Sequence, residues 1–485
     1  MLNFTPASTG RLLIFTGWAI LLLYFPSGWL HHWAGAYVYL RDIFLALHLL
    51  ASVVYLQKNG QLQSLFSKTW LLGIVPLFLL PALFSVETRV EMGGYIKWAL
   101  IWLEGIIVGR LISQHFKWNR AAMVFSALTA VVLLADLGTG FQEWTTGVFA
   151  IPMKGQVSPM GVEMGKDQFM VKDMMRIKGL QRDVFSFANL MGMAVVGGIC
   201  AFVSVSRVSV RIAAGVWIAV FSFMLFNSGG RSAFFGVAAA GVIGGGLLFA
   251  PEWTRRHFSR IALGWLAIGL FMSFFGVGDF TRWFSSQFMK GSHIGDFRSA
   301  YDRDENWQGV RNAISDVPIV LFTGSPLGSL IDSKVAAVYH WADNNYLWLL
   351  YHGSFISLAA LILYFRNALA RPIPSSRLWS KDCLLLFLLF VMGEAIARES
   401  LSFLGCIPLF LACGYVSGIR LVGAGTAHVN NETLTRGHLA SLAVNRATDA
   451  SAAQPAKKSR RKRSDADALA ERMARRANQN PPPET

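Results

Sequence analysis

Charged residues are scarce in this chain. Asp, Glu, Lys and Arg together make up 15% of its 485 residues, whereas apolar and aromatic residues make up 54%. The mean hydropathy of +0.44 lies well above the values of ordinary soluble domains. So little polar surface excludes a soluble globular protein of this size and indicates an integral membrane protein.

Common catalytic and metal-binding motifs are also missing. The sequence contains no P-loop, GxSxG, HExxH or CxxC pattern, which argues against nucleotide hydrolysis, serine hydrolysis and thiolate zinc chemistry. Its four cysteines lie in or beside apolar stretches, so we expect neither disulfides nor a thiolate metal site. The acidic residues predicted on the outer face before residue 184 do not show the DxD spacing of metal-dependent sugar transferases; they are Glu143, Glu163, Asp167, Asp173 and Asp183. We therefore predict no metal and no cofactor.

Long apolar runs dominate what is present. A membrane-crossing helix needs about 20 apolar residues, and about twelve stretches approach that length. We therefore predict an all-α, polytopic membrane domain over residues 1–422. Its spans are predicted at 11–25, 35–56, 70–85, 96–113, 121–138, 184–205, 211–227, 232–250, 261–278, 343–365, 382–397 and 401–420.

The distribution of positive charge predicts the orientation. The net charge of +16 arises mainly from the short loops after even-numbered spans and from the C-terminal segment 423–485. Basic loops are typical of the cytoplasmic side. We thus place both termini in the cytoplasm and interpret 423–485 as a polar, disordered tail that reinforces the topology or contacts anionic lipid, with no nucleic-acid partner.

Two longer loops, 139–183 and 279–342, fall on the opposite, outer face. In the second, the apolar residues of RDENWQGVRNAISDV follow a helical spacing: Trp307, Val310, Ala313, Ile314 and Val317. This pattern predicts a helix that packs back onto the membrane domain.

An arginine interrupts the apolar stretch 222–244. Arg231 follows the short connection NSGG, so we place it at the outer interface between two spans. A snorkelling side chain that anchors the helix end is the ordinary interpretation. The adjacent glycines, together with Ser228 and Ser232, favour an anion site, because arginine presents a planar fork of donors to phosphate oxygens.

Further cations are predicted on the same outer face, although positive charge is usually concentrated on the cytoplasmic side. They are Arg176, Lys178, Arg182, Arg282, Arg298, Arg303 and Arg311. Acidic residues are interspersed, so solvated loop charges explain most of them. Arg176 and Arg182, which lead into a span, are the exceptions.

The segment before the span at 343–365 supplies acid–base groups. Asp343 or Asn344 is suited to cap the helix. Alternatively, His340 or Asp343 acts as a general base at the membrane surface. His352, deeper in the span, is interpreted as a core or helix-contact residue. Elsewhere, Arg41, Asp42 and Glu104 fall inside spans, where they either pair structurally or mark a polar path.

Four segments resemble motifs of the bacterial O-antigen polymerase and ligase superfamily. RIKGLQRDVFSFANLMGM is similar to its R-x-x-G-L motif, and NSGGRSAFFG to its S-x-S-R motif. RDENWQGVRNAISDVPIVLFTGSPLGS resembles its R-x-x-x-W pattern, and DNNYLWLLYHGSFISL its (H/D)-N-x-(Y/F)-L stretch. Together they cover about residues 176–358, in the family's order.

The resemblance implies a GT-C-like membrane fold and metal-independent, inverting glycosyl transfer on the periplasmic face of the inner membrane. The donor would be an undecaprenyl-diphosphate-linked glycan. By motif position, Arg231 with Arg311 or Arg303, and further Arg176, would contact the diphosphate, with Ser228, Asn344 and Arg182 in support. Asp343 or His340 would activate the acceptor hydroxyl.

Asp343 stands where the family's ligases usually carry histidine, which favours a polymerase of O-antigen, capsule or exopolysaccharide repeat units. A ligase that transfers the glycan to lipid A core is the alternative. Chain-length regulators or flippase proteins are the expected partners. A transporter or flippase of lipid-linked oligosaccharide, and a non-catalytic scaffold, are alternatives of other classes.

Overall fold

The computed structural model describes residues 6–62, 89–115, 118–151, 170–171, 174–175, 177–181, 183–275, 298–331, 344–396 and 405–419. All described residues belong to one compact unit, Met1–Leu421. The predicted tail 423–485 and the predicted span 70–85 lie outside the described residues.

The first third of the described chain is helical. Helix α1 covers Pro6–Leu22, α2 Ser27–Ala34, α3 Leu40–Lys58, α4 Arg89–His115 and α5 Trp118–Thr146. A 3-10 turn, Gly35–Tyr39, joins α2 to α3. A two-residue antiparallel pair follows, β1 at Met170–Val171 and β2 at Met174–Met175.

Ten further helices complete the described chain. They are α6 (Val184–Ser204), α7 (Val208–Ser228), α8 (Arg231–Phe249), α9 (Pro251–Arg256), α10 (Phe258–Phe275), α11 (Arg298–Asp316), α12 (Val320–Ile331), α13 (Asn345–Ala370), α14 (Leu378–Ala395) and α15 (Cys406–Gly418). A 3-10 turn at Ser375–Arg377 precedes α14.

Helices occur at eleven of the twelve predicted spans. Among the described residues, five helices, α3, α6, α7, α8 and α13, are long and apolar enough to cross a membrane. A sixth arises if α1 and α2, which meet at an angle of 84°, form one broken span. The structure thus confirms a helical protein with apolar helices suited to a membrane. It corrects the predicted span 35–56, because residues 35–39 form the 3-10 turn and α3 begins at Leu40.

Helices α4 and α15 form a close helix pair. Each carries a G-x-x-x-G pattern, Gly105 to Gly109 on α4 and Gly414 to Gly418 on α15. A Cβ added at Gly109 would overlap the Leu411 carbonyl oxygen, and one at Gly414 would overlap that of Ile106. Small residues let the two backbones approach, and Trp102 stacks on Phe410 beside them with ring centroids 5.0 Å apart. We call this contact the α4–α15 seam.

Helix α11 packs as the sequence predicts. Trp307, Val310, Ala313 and Ile314 are buried, while Val317 is half-buried. The spacing of three and four residues places the buried side chains on one face of the helix. This part of the predicted outer loop 279–342 is therefore folded against the helices.

Several helix ends meet at one end of the bundle. Gly230, just before α8, lies against Ala188 near the start of α6. Asn344, just before α13, contacts Ser273 near the end of α10 and the Ile396 carbonyl after α14. We call this region, defined by Asn189, Gly230, Ser273, Asn344 and Glu394, the motif end.

Candidate functional site

The described part of the first motif, residues 177–181 and 183, forms a buried loop that we call the Lys178 loop. A carboxylate of α5 anchors it. Glu143 Oε2 accepts hydrogen bonds from the backbone N–H groups of Lys178 and Gly179, both at 2.9 Å. Its Oε1 accepts one from Ala150 N–H at 3.1 Å. Glu143 is fully buried, so this acidic residue serves to hold backbone.

A second carboxylate of α5 holds the other half of the loop. Asp136 accepts hydrogen bonds from Leu180 N–H at 2.6 Å and from Gln181 Nε2 at 3.0 Å. Gly179 has a φ of +54°, and a Cβ there would lie 2.6 Å from Asp136 Oδ1. The glycine of the R-x-x-G-L motif is thus required both by its left-handed backbone and by the close approach of α5.

The turn between α1 and α2 completes this enclosure. The N–H groups of Gly28 and Trp29 donate to the Leu180 carbonyl at 2.9 and 3.0 Å. The Ser27 hydroxyl donates to Gln181 Oε1 at 3.2 Å. The bend of 84° between α1 and α2 therefore places backbone donors against the Lys178 loop.

Lys178 is the unusual member of the loop. Its side chain is fully buried, and its ammonium group has no hydrogen-bond partner in the described chain. It lies 5.4 Å from the centre of the Phe149 ring. Burial lowers the pKa of Lys178 from 10.5 to about 8, although the carboxylates of Glu143 and Asp183 act in the opposite direction.

Asp183 and Asn189 link the loop to two other helices. Asp183 caps α6, since its Oδ1 accepts from the N–H groups of Phe185 and Ser186 at 2.9 and 2.7 Å. One turn further, Asn189 donates to the Glu394 carboxylate of α14. Asn189 Oδ1 also accepts from Gly405 N–H, just before α15, at 2.6 Å. A buried acid thus lies at the motif end.

The NSGG connection is a tight turn between two helices, as predicted. Gly229 has a φ of +67° and ends α7 in the left-handed conformation. Gly230 packs on α6, where a Cβ would overlap Ala188. The backbone conformation of Gly229 and the helix contact of Gly230 therefore explain both glycines. The sequence had instead suggested that they let a ligand approach the backbone. The backbone of Arg231 begins α8 beside the first turns of α6.

The Ser228 hydroxyl takes part in the same turn. It donates to the Leu225 carbonyl at 2.6 Å and accepts from Gly230 N–H at 3.3 Å. Ser228 is fully buried, and Ser232 nearly so. These bonds fix the direction in which α8 leaves the turn, and with it the position of the Arg231 backbone.

Helix α11 brings a predicted cation to the end of α10. Arg311 Nη1 donates to the Phe274 carbonyl at 3.2 Å. Phe274 is adjacent to Ser273, which is hydrogen-bonded to Asn344. The third motif therefore contacts the fourth through the end of α10.

Asn344 is the N-cap of α13, so the predicted capping role belongs to this residue. Its Oδ1 accepts from the N–H groups of Tyr346 and Leu347 at 2.9 and 3.1 Å. Its Nδ2 donates to Ser273 Oγ at 2.9 Å and to the Ile396 carbonyl at 3.0 Å. These bonds occupy both ends of the buried amide, which fixes the backbone at the start of α13.

Helices α12 and α13 are both interrupted. Gly324 has a φ of 73° and a ψ of 162° within α12, and Ser354 a φ of 70° and a ψ of 171° within α13. The Ser325 hydroxyl and His352 Nδ1, close to the two breaks, are 3.0 Å apart. The prediction that His352 is a helix-contact residue is confirmed.

Several predicted site residues lie outside the described residues, namely His340, Asp343, Arg176 and Arg182. Arg231 and Arg303 are described as positions in α8 and α11, without side-chain geometry. Arg311, Ser228 and Asn344 are placed as given above. The structure brings the described parts of the first, second and fourth motifs to the motif end, and Arg311 of the third beside it.

Sequence reasoning missed the groups that hold this region together. Asp136 and Glu394 lie outside the four motifs, Asn189 lies in the first motif but was assigned no role, and Glu143 was considered only as a metal ligand. A buried carboxylate within an apolar span was the available signal. Comparison of the chain with protein-family models, curated proteins and solved structures finds no match in any of the three.

Proposed function

We propose that this protein is a metal-independent, inverting glycosyltransferase of the bacterial inner membrane, with about twelve spans, a GT-C-like fold and both termini in the cytoplasm. It polymerises O-antigen, capsule or exopolysaccharide repeat units carried on undecaprenyl diphosphate. The observation that supports this most is the meeting of segments from four motifs, far apart in the sequence, around one end of the bundle.

In the proposed reaction, Asp343, or His340 in its place, takes the proton of an acceptor hydroxyl. The hydroxyl oxygen attacks C1 of the donor sugar while the bond from C1 to the diphosphate oxygen breaks. Negative charge grows on the departing lipid diphosphate. Fixed cations stabilise that charge more in the transition state than in the ground state.

The cations assigned to this role are Arg231, Arg311, Arg303 and Arg176, with Arg182 in support. The position of Arg231 at the start of α8 also favours an anion, because a helix N-terminus presents free N–H groups and a partial positive charge. Lys178, in the loop of the first motif, adds a further cation. Its burial and lack of a hydrogen-bond partner in the described chain are expected of a site that is completed by an anion.

The polymerase and the ligase differ only in the acceptor. A polymerase uses the non-reducing end of a second lipid-linked repeat unit, whereas a ligase uses a sugar of lipid A core. Purified protein in nanodiscs would be given undecaprenyl-diphosphate repeat units with and without lipid A core. Chain lengthening without core supports the polymerase, and transfer to core alone would show a ligase. No turnover of lipid-linked glycan would refute both.

The site itself is tested by Arg231→Lys. We expect at least a tenfold loss of activity with unchanged protein level, because a point charge cannot reproduce the bidentate fork of arginine. Arg256→Lys, on the exposed end of α9, is the matched control and should retain activity. Activity of Arg231→Lys equal to that control would make Arg231 a helix anchor.

One structural feature favours the transporter alternative. Broken helices are common at the substrate sites of secondary transporters, and α12 and α13 are both interrupted. Movement of lipid-linked oligosaccharide between bilayer leaflets without covalent change, measured in proteoliposomes, would favour this function over glycosyl transfer.

A further inference from the structure

Helix α3 carries a buried polar stripe that none of the four motifs includes. Its buried residues Arg41, Leu45, His48, Ser52 and Tyr55 are spaced alternately by four and three positions. This spacing places them on one face of the helix. Since α3 is long and apolar enough to cross a membrane, four polar side chains on that face are costly unless they are paired or serve a function.

A histidine and a glutamate lie at the centre of the stripe. His48 Nδ1 is 2.8 Å from Glu104 Oε1 of α4, and the side chains are 6% and 0% exposed. His48 Nε2 lies 2.9 Å from the Leu13 carbonyl of α1. A carbonyl oxygen only accepts, so Nε2 carries a hydrogen. At 2.8 Å, the Nδ1 and Oε1 lone pairs would repel without a proton between them, so the pair holds one proton there.

Helix α1 encloses this pair tightly. A Cβ added at Gly17 would overlap Glu104 Oε1 and lie 2.7 Å from His48 Cε1. Glu104 Oε2 is also buried and has no hydrogen-bond partner in the described chain. This second oxygen is a site where the pair can accept another proton.

Titratable groups continue the stripe toward the start of α3. Asp42 Oδ1 accepts a hydrogen bond from the Tyr24 hydroxyl at 2.6 Å. Asp42 Oδ2 lies 3.7 Å from Lys97 Nζ of α4, and Oδ1 lies 3.9 Å from Arg41 Nε. The turn after α1 (Tyr24), helix α3 (Arg41 and Asp42) and helix α4 (Lys97) thus each contribute a proton-carrying group to one cluster.

The stripe also continues toward the end of α3. Ser52, one turn beyond His48, is fully buried, and its hydroxyl has no hydrogen-bond partner in the described chain. Tyr55 follows three residues later, and its hydroxyl lies 3.0 Å from His115 Nε2 at the end of α4. Asp42 and Tyr55 are 13 positions apart, which corresponds to about 20 Å along the helix, against a hydrocarbon core of about 30 Å.

We propose that α1, α3 and α4 form a proton path through the membrane domain, with the Glu104–His48 pair as its central acceptor. A proton that enters beside Asp42 and Tyr24 binds Glu104 Oε2, which leaves a carboxylic acid next to an imidazolium. The imidazolium then releases its Nδ1 proton toward Ser52, Tyr55 and His115, and the carboxyl group turns so that the proton on Oε2 takes the place between Glu104 and Nδ1, while Nε2 keeps its hydrogen. One proton enters for each that leaves, so the pair returns to its starting charge.

This activity is separate from the proposed glycosyl transfer, because the path uses none of the motif residues. The full-length protein would be reconstituted in liposomes that contain a pH-sensitive dye, with a potassium gradient and valinomycin to set the membrane potential. We expect proton uptake at least tenfold faster than in protein-free liposomes. Uptake equal to that of protein-free liposomes would overturn the proposal.

The central pair is tested by Glu104→Gln, which preserves shape but removes the titrating group. We expect proton uptake to fall at least tenfold. Glu252→Gln, the same change at an exposed residue of α9, should leave uptake at the wild-type rate. Wild-type uptake by Glu104→Gln would overturn the proposal.

Ser52→Ala keeps the test decisive if Glu104→Gln fails to fold. The Ser52 hydroxyl makes no hydrogen bond within the described chain, so its removal should leave the melting temperature unchanged or raise it. We expect proton uptake to fall about fivefold or more. A purely structural polar stripe predicts wild-type uptake for this variant, and that result would overturn the path along α3.

Discussion

The α4–α15 seam and the Lys178 loop are both buried, but different forces hold them. In the seam, paired glycines bring two helix backbones into contact, and the groups that touch are neutral. In the loop, two carboxylates of α5 accept backbone hydrogen bonds, and a buried ammonium lacks a hydrogen-bond partner within the described chain. The seam is therefore optimised for stability, whereas the loop retains unfavourable charge, as expected of a functional site.

The substitution with the largest expected effect on stability lies in the α4–α15 seam. Gly109→Ala would force a methyl group against the Leu411 carbonyl oxygen. Overpacking of this kind costs about 1–3 kcal/mol or more, and here backbone must move. We expect the melting temperature in detergent, measured by intrinsic fluorescence, to fall by more than in any variant below.

Gly264→Ala, in α10, is the matched control. A Cβ at that glycine would meet no atom within 4 Å, and alanine favours a helix by about 1 kcal/mol over glycine. Its melting temperature should stay the same or rise. Equal destabilisation by the two substitutions would show that the seam does not depend on close backbone contact.

The next largest destabilisation is expected when the carboxylate that anchors the Lys178 loop is removed. Glu143→Ala would leave the buried N–H groups of Lys178, Gly179 and Ala150 without their acceptor. A donor without a partner costs about 1–3 kcal/mol if it stays buried, but local opening of the loop would expose these donors to water, so we expect a smaller loss of global stability than in the seam. Limited proteolysis should then cut near residues 177–181 much faster than in the wild type. The exposed neighbour change Gln142→Ala should not alter the cleavage rate, and identical rates for both variants would contradict the anchor.

Lys178→Met is expected to change stability less than the two preceding substitutions, and to raise it instead of lowering it. The pKa of Lys178 is about 8 in the folded protein against 10.5 for an ordinary lysine. Between these pH values the unfolded chain binds more protons, so the stability of the wild type rises with pH across that window. The cost of burying the charge is fully present below pH 8. Removing it should raise the melting temperature at pH 7.

The pH dependence provides the check on that prediction. The gain from Lys178→Met should be largest at pH 7 and should shrink as the pH approaches 10, because the wild-type amine is then neutral. Lys58→Met, at an exposed position of α3, should show no such trend. A gain that is independent of pH would mean that Lys178 is not buried as a charge.

The smallest change in melting temperature is expected for a substitution in the NSGG turn. Ser228→Ala removes the hydroxyl that bonds the Leu225 carbonyl and Gly230 N–H. A neutral hydrogen bond contributes about 0.5–1.5 kcal/mol, so the melting temperature should fall slightly. Ser209→Ala, exposed on the same helix, should have no effect. A loss as large as that of Glu143→Ala would show that the turn supports more than its own geometry.

The fold was predictable where apolar residues follow a regular pattern. The spacing of Trp307, Val310, Ala313 and Ile314 predicts the buried face of α11, and NSGG predicts the turn before α8. The position of Arg231 between two helices follows from the same reasoning. These are local features, in which neighbouring residues determine both helix and turn.

The groups that organise the motif end were not predictable in the same way. Glu143 holds backbone N–H groups 35 and 36 positions away, and Asn189 contacts Glu394 across 205 positions. Backbone donors have no sequence signature, so the partner of a buried carboxylate cannot be identified before the chain is folded. The choice between pairing and a polar path for Arg41, Asp42 and Glu104 depended on contacts of the same kind.

Helix formation and sufficient apolar length for a membrane follow from composition and periodicity, which are properties of the amino-acid sequence. Which polar residues lie together depends on how the helices pack. The tertiary structure placed the Lys178 loop against α5, Asn344 against α10, and His48 against Glu104. The physical reason is that a buried polar group must find a partner, and in this protein those partners come from distant helices that pack side by side.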